Sequence, residues 1–258
     1  MDMAWRKCVA GMVALVCALA GTCAQAQESL FLEELWRAAM EGALFIVDGE
    51  GAPCYNGRTR IGPQKVSKAK GDISMQHRGT QRLETDRLIL RRFCPEDAQA
   101  MYENWASDGE VTRFLTWPTH ASPAVSRMVL EDWAAHYAQD DYYQWAIVWK
   151  ETNQPIGSIS VVDCDERAQR AHIGYCIGRR WWHMGVTSEA LREVLRFLFA
   201  EVGVLRVDAK HDARNPHSGG VMRKCGMRYE GTLRQSAWCN AGIGDMCWYG
   251  ILATEWEP

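Results

Sequence analysis

The alternation of apolar and polar residues becomes regular after Arg82 and predicts a series of strands and helices. The apolar run at residues 88–93 predicts a strand. Residues 94–97 then begin a helix, because proline lies in its first turn and acidic residues favour the positive end of the helix dipole. Ser122 and Pro123 give the same signal for a second helix, so two helices are predicted to follow the first strand.

Strands dominate the next part of the pattern. Residues 143–149 and 156–162 predict a β-hairpin, and residues 171–177 predict a further strand. Apolar residues at helical spacing then run from Thr187 to near Gly203.

A strand, a helix and two strands complete the pattern. The strand is predicted at residues 205–210, and the helix between Asn215-Pro216 and Cys225-Gly226, where glycine suits the left-handed helix end. The final strands are predicted at residues 227–233 and 245–253. The resulting order, β, α, α, β, β, β, α, β, α, β, β, predicts an α/β fold.

The first 80 residues differ in pattern from the rest. Residues 1–26 match a secretory signal, with Arg6 and Lys7 ahead of an apolar stretch and a small-x-small cleavage site at its end. That stretch is shorter than the roughly 20 residues that a membrane-spanning helix needs. A genuine export signal and a leader from a misassigned start codon are equal alternatives. Residues 27–80 predict a poorly ordered extension or linker, and residues 81–258 predict one domain.

Composition narrows the classes of function. A net charge of -3 over 258 residues gives no basic surface for nucleic acid, so nucleic acid is not an expected partner. The ten cysteines include no CxxC pair and no histidine at metal-ligand spacing, so no metal site is expected. Such cysteine usage suits a reducing compartment. The domain is predicted to be cytoplasmic and free of membrane contact, with export as the alternative if residues 1–26 are a genuine signal.

The strongest chemical signal lies at residues 182–189. Gly185 stands between a predicted strand and a predicted helix, where glycine permits a tight turn. Such a turn aims several backbone N–H groups and the helix dipole at a diphosphate. For a single glycine considered alone, an ordinary strand-to-helix turn is the favoured interpretation, so the neighbouring segments decide between the two.

Four ordered segments resemble the GNAT acetyltransferases, in the branch that includes the ribosomal-protein N-terminal acetyltransferases. They are residues 83–91 (LETDRLILR), 173–190, 215–231 and 248–256. The resemblance implies an α/β GNAT fold, with a mixed central sheet of about six to seven strands and about four flanking helices. It also implies acetyl-CoA as cosubstrate, and as acceptor a primary amine on a protein N-terminus or a small molecule. A homodimer is left open.

The resemblance further implies a coenzyme site made mainly by backbone. Its residues are Cys176, Ile177, Gly178, Trp182, His183, Met184, Gly185, Val186, Thr187, Ser188, Asn215 and Ser218. A backbone N–H around residues 176–178 would polarise the thioester carbonyl in the manner of an oxyanion hole. Relatives commonly carry small or basic residues at His183 and Met184, so these two side chains are not expected to help in holding phosphate.

Three residues are candidates for roles in chemistry or acceptor binding. Ser218 would protonate the departing thiolate or hydrogen-bond to it, with stabilisation of its helix turn as the alternative. The glutamate that some relatives use as general base is replaced by Ala237. His172 is a substitute base, because histidine titrates near neutral pH, although a strand histidine is often structural. Trp117, beside Pro118 in a predicted loop, is the candidate for lining the acceptor cleft.

The leading hypothesis is an N-acetyltransferase that moves an acetyl group from acetyl-CoA to a primary amine by direct attack. An acetyl-CoA-binding sensor without turnover is the alternative that Ala237 motivates. An exported binding protein is the alternative that residues 1–26 motivate.

Overall fold

A computed structural model describes residues 75–257. The predicted signal at residues 1–26 and the linker up to residue 74 lie outside the described residues. The described chain forms one sheet of eight strands. The strands are β1 (Leu83–Glu84), β2 (Leu88–Arg91), β3 (Gln144–Trp149), β4 (Gln154–Asp165), β5 (Arg170–Ile177), β6 (Arg206–Asp212), β7 (Arg228–Cys239) and β8 (Gly242–Leu252). The helices are α1 (Ala98–Met101), α2 (Gly109–Thr112), α3 (Pro123–His136), α4 (Val186–Phe197) and α5 (Pro216–Lys224).

The sheet is antiparallel except at its centre. Its strand order is β1-β2-β3-β4-β5-β6-β8-β7, and β5 and β6 are the pair that runs parallel. Their pairing ends at Ile173 and Ala209, although β5 continues to Ile177 and β6 to Asp212. The two strands therefore separate towards their C-terminal ends. We call the opening between residues 174–177 and residues 210–212 the gap.

Helices pack on both faces of the sheet. The apolar stripe of α4 is fully buried and consists of Ala190, Leu191, Val194 and Leu195. These residues share one core with Ile173 of β5 and Val207 of β6. On the opposite face, Trp105 and Leu130 pack against Ala146 of β3. The gap therefore opens between two well-packed layers.

The predicted fold class and the order of the long elements are confirmed. Both glycines that were expected to end helices adopt left-handed conformations: φ is 80° at Gly203 after α4 and 81° at Gly226 after α5. The two-residue β1 is an additional edge strand beside β2. After α1 the chain continues as a π-helical turn over Tyr102–Ala106.

Strand β7 is longer than the apolar pattern indicates. The pattern ends the strand at residue 233, but β7 continues to Cys239. Residues 234–236 form a bulge, in which the Gln235 N–H donates to Asp245 Oδ1 at 2.8 Å. Pairing with β8 therefore extends β7 through a segment with no strand pattern of its own.

The packed core begins before residue 81, where the pattern starts the domain. Met75 is buried at 7% exposure, and the Gln76 N–H donates to the Val202 carbonyl at 2.8 Å. Thr80 Oγ1 donates to the Tyr142 carbonyl at 2.8 Å. Residues 75–80 thus pack together with the domain.

None of the helices in the described part of the chain is long and apolar enough to cross a membrane.

Candidate active site

The gap exposes the backbone of the last residues of β5. The Gly178 N–H donates to the Ile156 carbonyl of β4 at 2.9 Å. Because N–H directions alternate along a strand, the amides of Gly178 and Cys176 face β4, and those of Tyr175 and Ile177 face the gap. Of the three predicted residues at positions 176–178, Ile177 is therefore the one whose N–H faces the gap, where a thioester carbonyl could lie.

The other two residues have different roles in the structure. The Cys176 thiol contacts Ser158 Oγ at 3.3 Å, and burial raises the pKa of this thiol, so it stays protonated at neutral pH. A Cβ at Gly178 would collide with the carbonyl oxygen of Asn104 in the π-helical turn. Glycine is thus required at position 178 because two backbones approach each other closely.

The turn at residues 182–189 has the geometry of an anion site. Gly185 adopts φ 74° and ψ 2° immediately before α4. The first N–H bonded within this helix is that of Glu189, which donates to the Gly185 carbonyl at 3.0 Å. The amides of Val186, Thr187 and Ser188 precede it and have no partner within the helix. Their side chains are buried, so any contact with a phosphate is made by backbone.

Arg87 holds this turn in place from the start of β2. Its Nη1 donates to the Met184 carbonyl at 3.1 Å, and its Nε donates to Glu189 Oε2 at 2.7 Å. Thr85 Oγ1 donates to the other oxygen of Glu189 at 2.6 Å. Burial alone would raise the pKa of Glu189, but the hydrogen bonds from Thr85 and Arg87 outweigh it and hold this pKa below its usual value. Glu189 thus anchors the turn as a carboxylate.

Three further side chains of the turn lie at the surface. Trp182 Nε1 donates to the Ile177 carbonyl at 3.0 Å, which fixes the indole beside the gap. Met184 is 46% exposed. His183 adopts φ 62°, a left-handed conformation that is uncommon for a residue other than glycine. Its ring contacts that of His217 in α5 edge to face, with centroids 5.0 Å apart.

A tyrosine joins the end of β5 to helix α5. Tyr175 Oη donates to the Ser218 carbonyl at 2.9 Å, and Ser218 Oγ donates to Tyr175 Oη at 3.1 Å. Burial raises the pKa of Tyr175, so the phenol remains protonated. Ser218 is thereby held beside the gap. Asn215 occupies the N-cap position of α5, but its side chain makes no capping hydrogen bond, contrary to the expected N-cap role.

His172 lies in an ion-pair network within the sheet. Its Nδ1 is 2.5 Å from Asp208 Oδ1. Burial raises the pKa of Asp208, but the hydrogen bond from His172 and the charges of Arg170 and Arg206 outweigh burial and lower it. Cys176 is four residues further along β5, about 13 Å at roughly 3.3 Å per residue. This separation favours a structural role for His172 over direct proton transfer at the gap.

Trp117 lies in the loop before α3, which is tied to the β7–β8 hairpin. Its ring is half-buried and lies 5.2 Å from that of His120. Asn240, at the tip of the β7–β8 hairpin, donates through Nδ2 to the Trp117 carbonyl at 2.7 Å and to the Thr112 carbonyl at 2.9 Å. The Asn240 N–H donates to the Leu115 carbonyl at 3.0 Å. The loop before α3 and the hairpin are therefore tied to each other.

The residues at the gap fit acetyl-CoA. A left-handed glycine turn with free helix amides suits the diphosphate. The separated strands leave room for an extended arm, and the Ile177 N–H faces that room. Glu189 is neutralised by Arg87, so its charge does not oppose an anion. Within residues 75–257, no group of three His, Cys, Asp or Glu side chains could hold a metal ion.

The comparison with protein families decides the assignment. The family profile described as an acetyltransferase (GNAT) domain matches residues 87–228 of the 258. The chain belongs to the GNAT acetyltransferase family. It is an acetyl-CoA-dependent acyltransferase of the N-acetyltransferase type.

Individual relatives agree with this family. The chain is similar to the uncharacterized N-acetyltransferase YoaA of Bacillus subtilis (strain 168), at 32% identity over 66% of this chain and 96% of that protein. It is 22% identical to the ribosomal protein uS5 alanine N-acetyltransferase of Escherichia coli (strain K12), over 69% of this chain and 93% of that protein. A crystal structure of a microcin C7 self immunity acetyltransferase in complex with acetyl-CoA and AMP shares the fold, with a TM-score of 0.58 and 20% identity. That match covers 65% of this chain and 93% of the other.

The structure brings most of the predicted site together. Residues 176–178, the turn at residues 182–188 and Ser218 all lie around the gap, whereas His172 lies further back along β5 and Trp117 lies in the loop before α3. Sequence reasoning missed Arg87 and Tyr175. Both lie inside segments that carry the family resemblance. Their position in those segments was the signal that could have identified them.

Proposed function

We propose that this chain transfers the acetyl group of acetyl-CoA to a primary amine by direct attack at the gap. The observation that carries the proposal is the early end of the pairing between β5 and β6, next to the left-handed turn at Gly185. The amine is bound as the free base, because only an unprotonated nitrogen has the lone pair that attack requires. The acceptor is a protein N-terminus or a small molecule.

The chain contributes mainly position and hydrogen bonding. Acetyl-CoA supplies a thioester whose carbonyl an amine can attack. The Ile177 N–H polarises that carbonyl from the edge of β5. Alignment of two reactants can contribute several kcal/mol, up to roughly 7 to 11 in the best cases.

Ser218 assists the departure of the sulfur. A thiol has a pKa of about 8.5, so the donor that serves the thiolate need not be a strong acid. Tyr175 holds the Ser218 hydroxyl beside the gap. The phenol donates its one proton to the Ser218 carbonyl, so the Ser218 hydroxyl turns from Tyr175 towards the sulfur when it donates to the thiolate.

A relative supports a protein N-terminus among the acceptors. The ribosomal protein uS5 alanine N-acetyltransferase matches the chain over 93% of its own length. The name of that enzyme describes acetylation of an alanine of a ribosomal protein. The bound acetyl-CoA in the microcin C7 self immunity acetyltransferase supports the coenzyme, since the two share the fold.

The first experiment measures coenzyme binding by calorimetry. Gly185→Arg is expected to abolish acetyl-CoA binding, because a side chain at φ 74° is strained and would crowd the amides of α4. Gly203→Arg is the matched control, since Gly203 has φ 80° at the other end of the same helix. Unchanged affinity of Gly185→Arg, or an equal loss in both variants, would refute the coenzyme turn.

The second experiment measures thiol release with a panel of peptide and small-molecule amines. Release that depends on an amine is expected. Coenzyme binding without release on any acceptor would support the sensor that lacks turnover instead. Ala237, which has no carboxylate where some relatives carry a glutamate, motivates this alternative.

A further inference from the structure

Lys210 lies where β5 and β6 separate. Ala209 makes the last pairing of β6 with β5, so Lys210 is the first residue of β6 beside the gap. Val207 and Ala209 are buried in the core beneath α4 and α5. Because side chains alternate along a strand, Lys210 points to the opposite face, as do Asp208 and Asp212. Because α4 and α5 cover the face of Val207 and Ala209, Lys210 lies on the face that these two helices leave uncovered.

Lys210 differs from the other cations on this face. Three arginines are each paired with a carboxylate: Arg170 with Asp163, Arg206 with Glu230 and Arg214 with Asp212. Lys210 is exposed and forms no ion pair with any residue between 75 and 257. Its Nζ instead lies 5.1 Å from the centroid of the Trp248 ring. The charge of Lys210 is therefore open to a ligand.

A second donor lies next to this ammonium group. Lys210 and Trp248 are direct partners in the register of β6 and β8. Trp248 Nε1 is buried and has no hydrogen-bond partner among the described residues. A buried donor without an acceptor is costly, and such groups are rare in folded proteins. Because Nε1 is buried, Lys210 is the donor of this pair that a ligand can reach, and its ammonium group suits an oxygen that carries negative charge.

The register sets the distance between this position and the reacting centre. Lys210 lies across from Gly174, the first residue of β5 beyond the last paired position, and the Ile177 N–H is three residues further on. Three residues of a strand span about 10 Å. An extended peptide whose amine lies near Ile177 would place its third residue at a similar distance. Lys210 therefore suits an acid near the start of a peptide acceptor.

We propose that Lys210, packed on Trp248, is a specificity-determining residue that selects protein N-termini with an acidic side chain at the second or third position. The proposal rests on the acetyl transfer at the gap that is proposed above. Lys210 binds the carboxylate of the acceptor and takes no part in the bond changes. Arg170 and Arg206 also contact Asp208, so both are held by carboxylates of the protein.

The test compares matched peptides in the thiol-release assay. Hexapeptides Ala-Ala-Glu-Ala-Ala-Ala and Ala-Ala-Gln-Ala-Ala-Ala differ only in charge at the third residue. The wild-type chain is expected to prefer the glutamate peptide by about fivefold in kcat/KM, the size of a partly exposed ion pair. Lys210→Met should reduce the ratio to about one, mainly by lowering kcat/KM on the glutamate peptide. Lys210→Glu should make the glutamine peptide the better substrate.

Lys224→Met is the matched control, because Lys224 is an exposed lysine at the end of α5. It is expected to keep the wild-type preference. A wild-type ratio near one, or an unchanged ratio in Lys210→Met, would overturn the proposal while acetyl transfer itself stands. Faster reaction with free glutamate than with the peptide would overturn the peptide class. Absence of thiol release with every amine would refute the proposed function, and this proposal with it.

Discussion

Replacing Arg87 with methionine tests whether the coenzyme turn is preformed by its anchor. Arg87→Met keeps an unbranched apolar side chain but removes the guanidinium group. The variant loses the hydrogen bond to the Met184 carbonyl and both bonds to Glu189. The backbone amides at the start of α4 are still present, but the Arg87 side chain no longer fixes residues 184–185. Coenzyme affinity should therefore fall although no group that touches the coenzyme is removed.

The structure gives the size of this effect. Fixing the backbone of one residue costs about 1 to 2 kcal/mol, and the bond to the Met184 carbonyl fixes about one residue of the turn. The variant has to order this residue when the coenzyme binds. Every 1.4 kcal/mol corresponds to about a tenfold change in Kd, so the loss should be about 5- to 30-fold. The ion pair itself adds little to the estimate, because the Arg87 side chain is 41% exposed.

Calorimetric titration with acetyl-CoA measures the change, at a temperature where both chains are folded. Arg196→Met is the control, because Arg196 lies on the same helix and pairs with Glu193 and Glu201, away from the turn. It should leave Kd unchanged. Arg87→Lys retains the charge but cannot hold both partners at once, and an intermediate Kd is expected. Wild-type affinity in Arg87→Met, or the same loss in Arg196→Met, would show that the anchor does not shape the site.

Three other changes give distinct results. Ser218→Ala should lower kcat about tenfold or more at unchanged coenzyme Kd, and equal turnover would remove the proposed role of this hydroxyl. Asn240→Ala should raise the KM of the amine but not that of acetyl-CoA in steady-state kinetics, because it releases the hairpin from the loop that carries Trp117; a parallel change in both KM values would contradict this. The lowered pKa of Glu189 means that its contribution to stability is present above its unfolded pKa of about 4.3 and is lost as the pH falls through the folded value. The difference in Tm between wild type and Glu189→Gln should therefore shrink below about pH 4, and a constant difference would argue against the anchor.

The conformation of the turn before α4 could be predicted because the local sequence determines it. Glycine at position 185 followed by an apolar helical stripe indicates a turn and a helix start, and the structure has both. Glycines 203 and 226 mark helix ends for the same reason. In each case one residue type is compatible with one backbone conformation, so the local sequence is informative without knowledge of distant partners.

The supporting contacts could not be predicted because they join residues far apart in the chain. Arg87 reaches Glu189 across 102 residues, and Asn240 reaches Trp117 across 123. Neither pair has a spacing that a local pattern could reveal. The contact between His172 and Asp208 could not be predicted for a related reason, because Asp208 lies on a neighbouring strand. Register, rather than residue type, decides which side chains meet.

The gap itself shows how the two halves of the site depend on each other. Separating β5 from β6 removes strand partners from the end of β5, and unpaired backbone groups have to be satisfied in another way. The chain satisfies the Ile177 carbonyl with Trp182 Nε1 and holds the strand end through Tyr175 and Ser218. The Ile177 N–H faces the gap without a strand partner there. In the proposed function this amide donates to the thioester carbonyl, and a donor whose strand end is already fixed needs little reorganisation for that step.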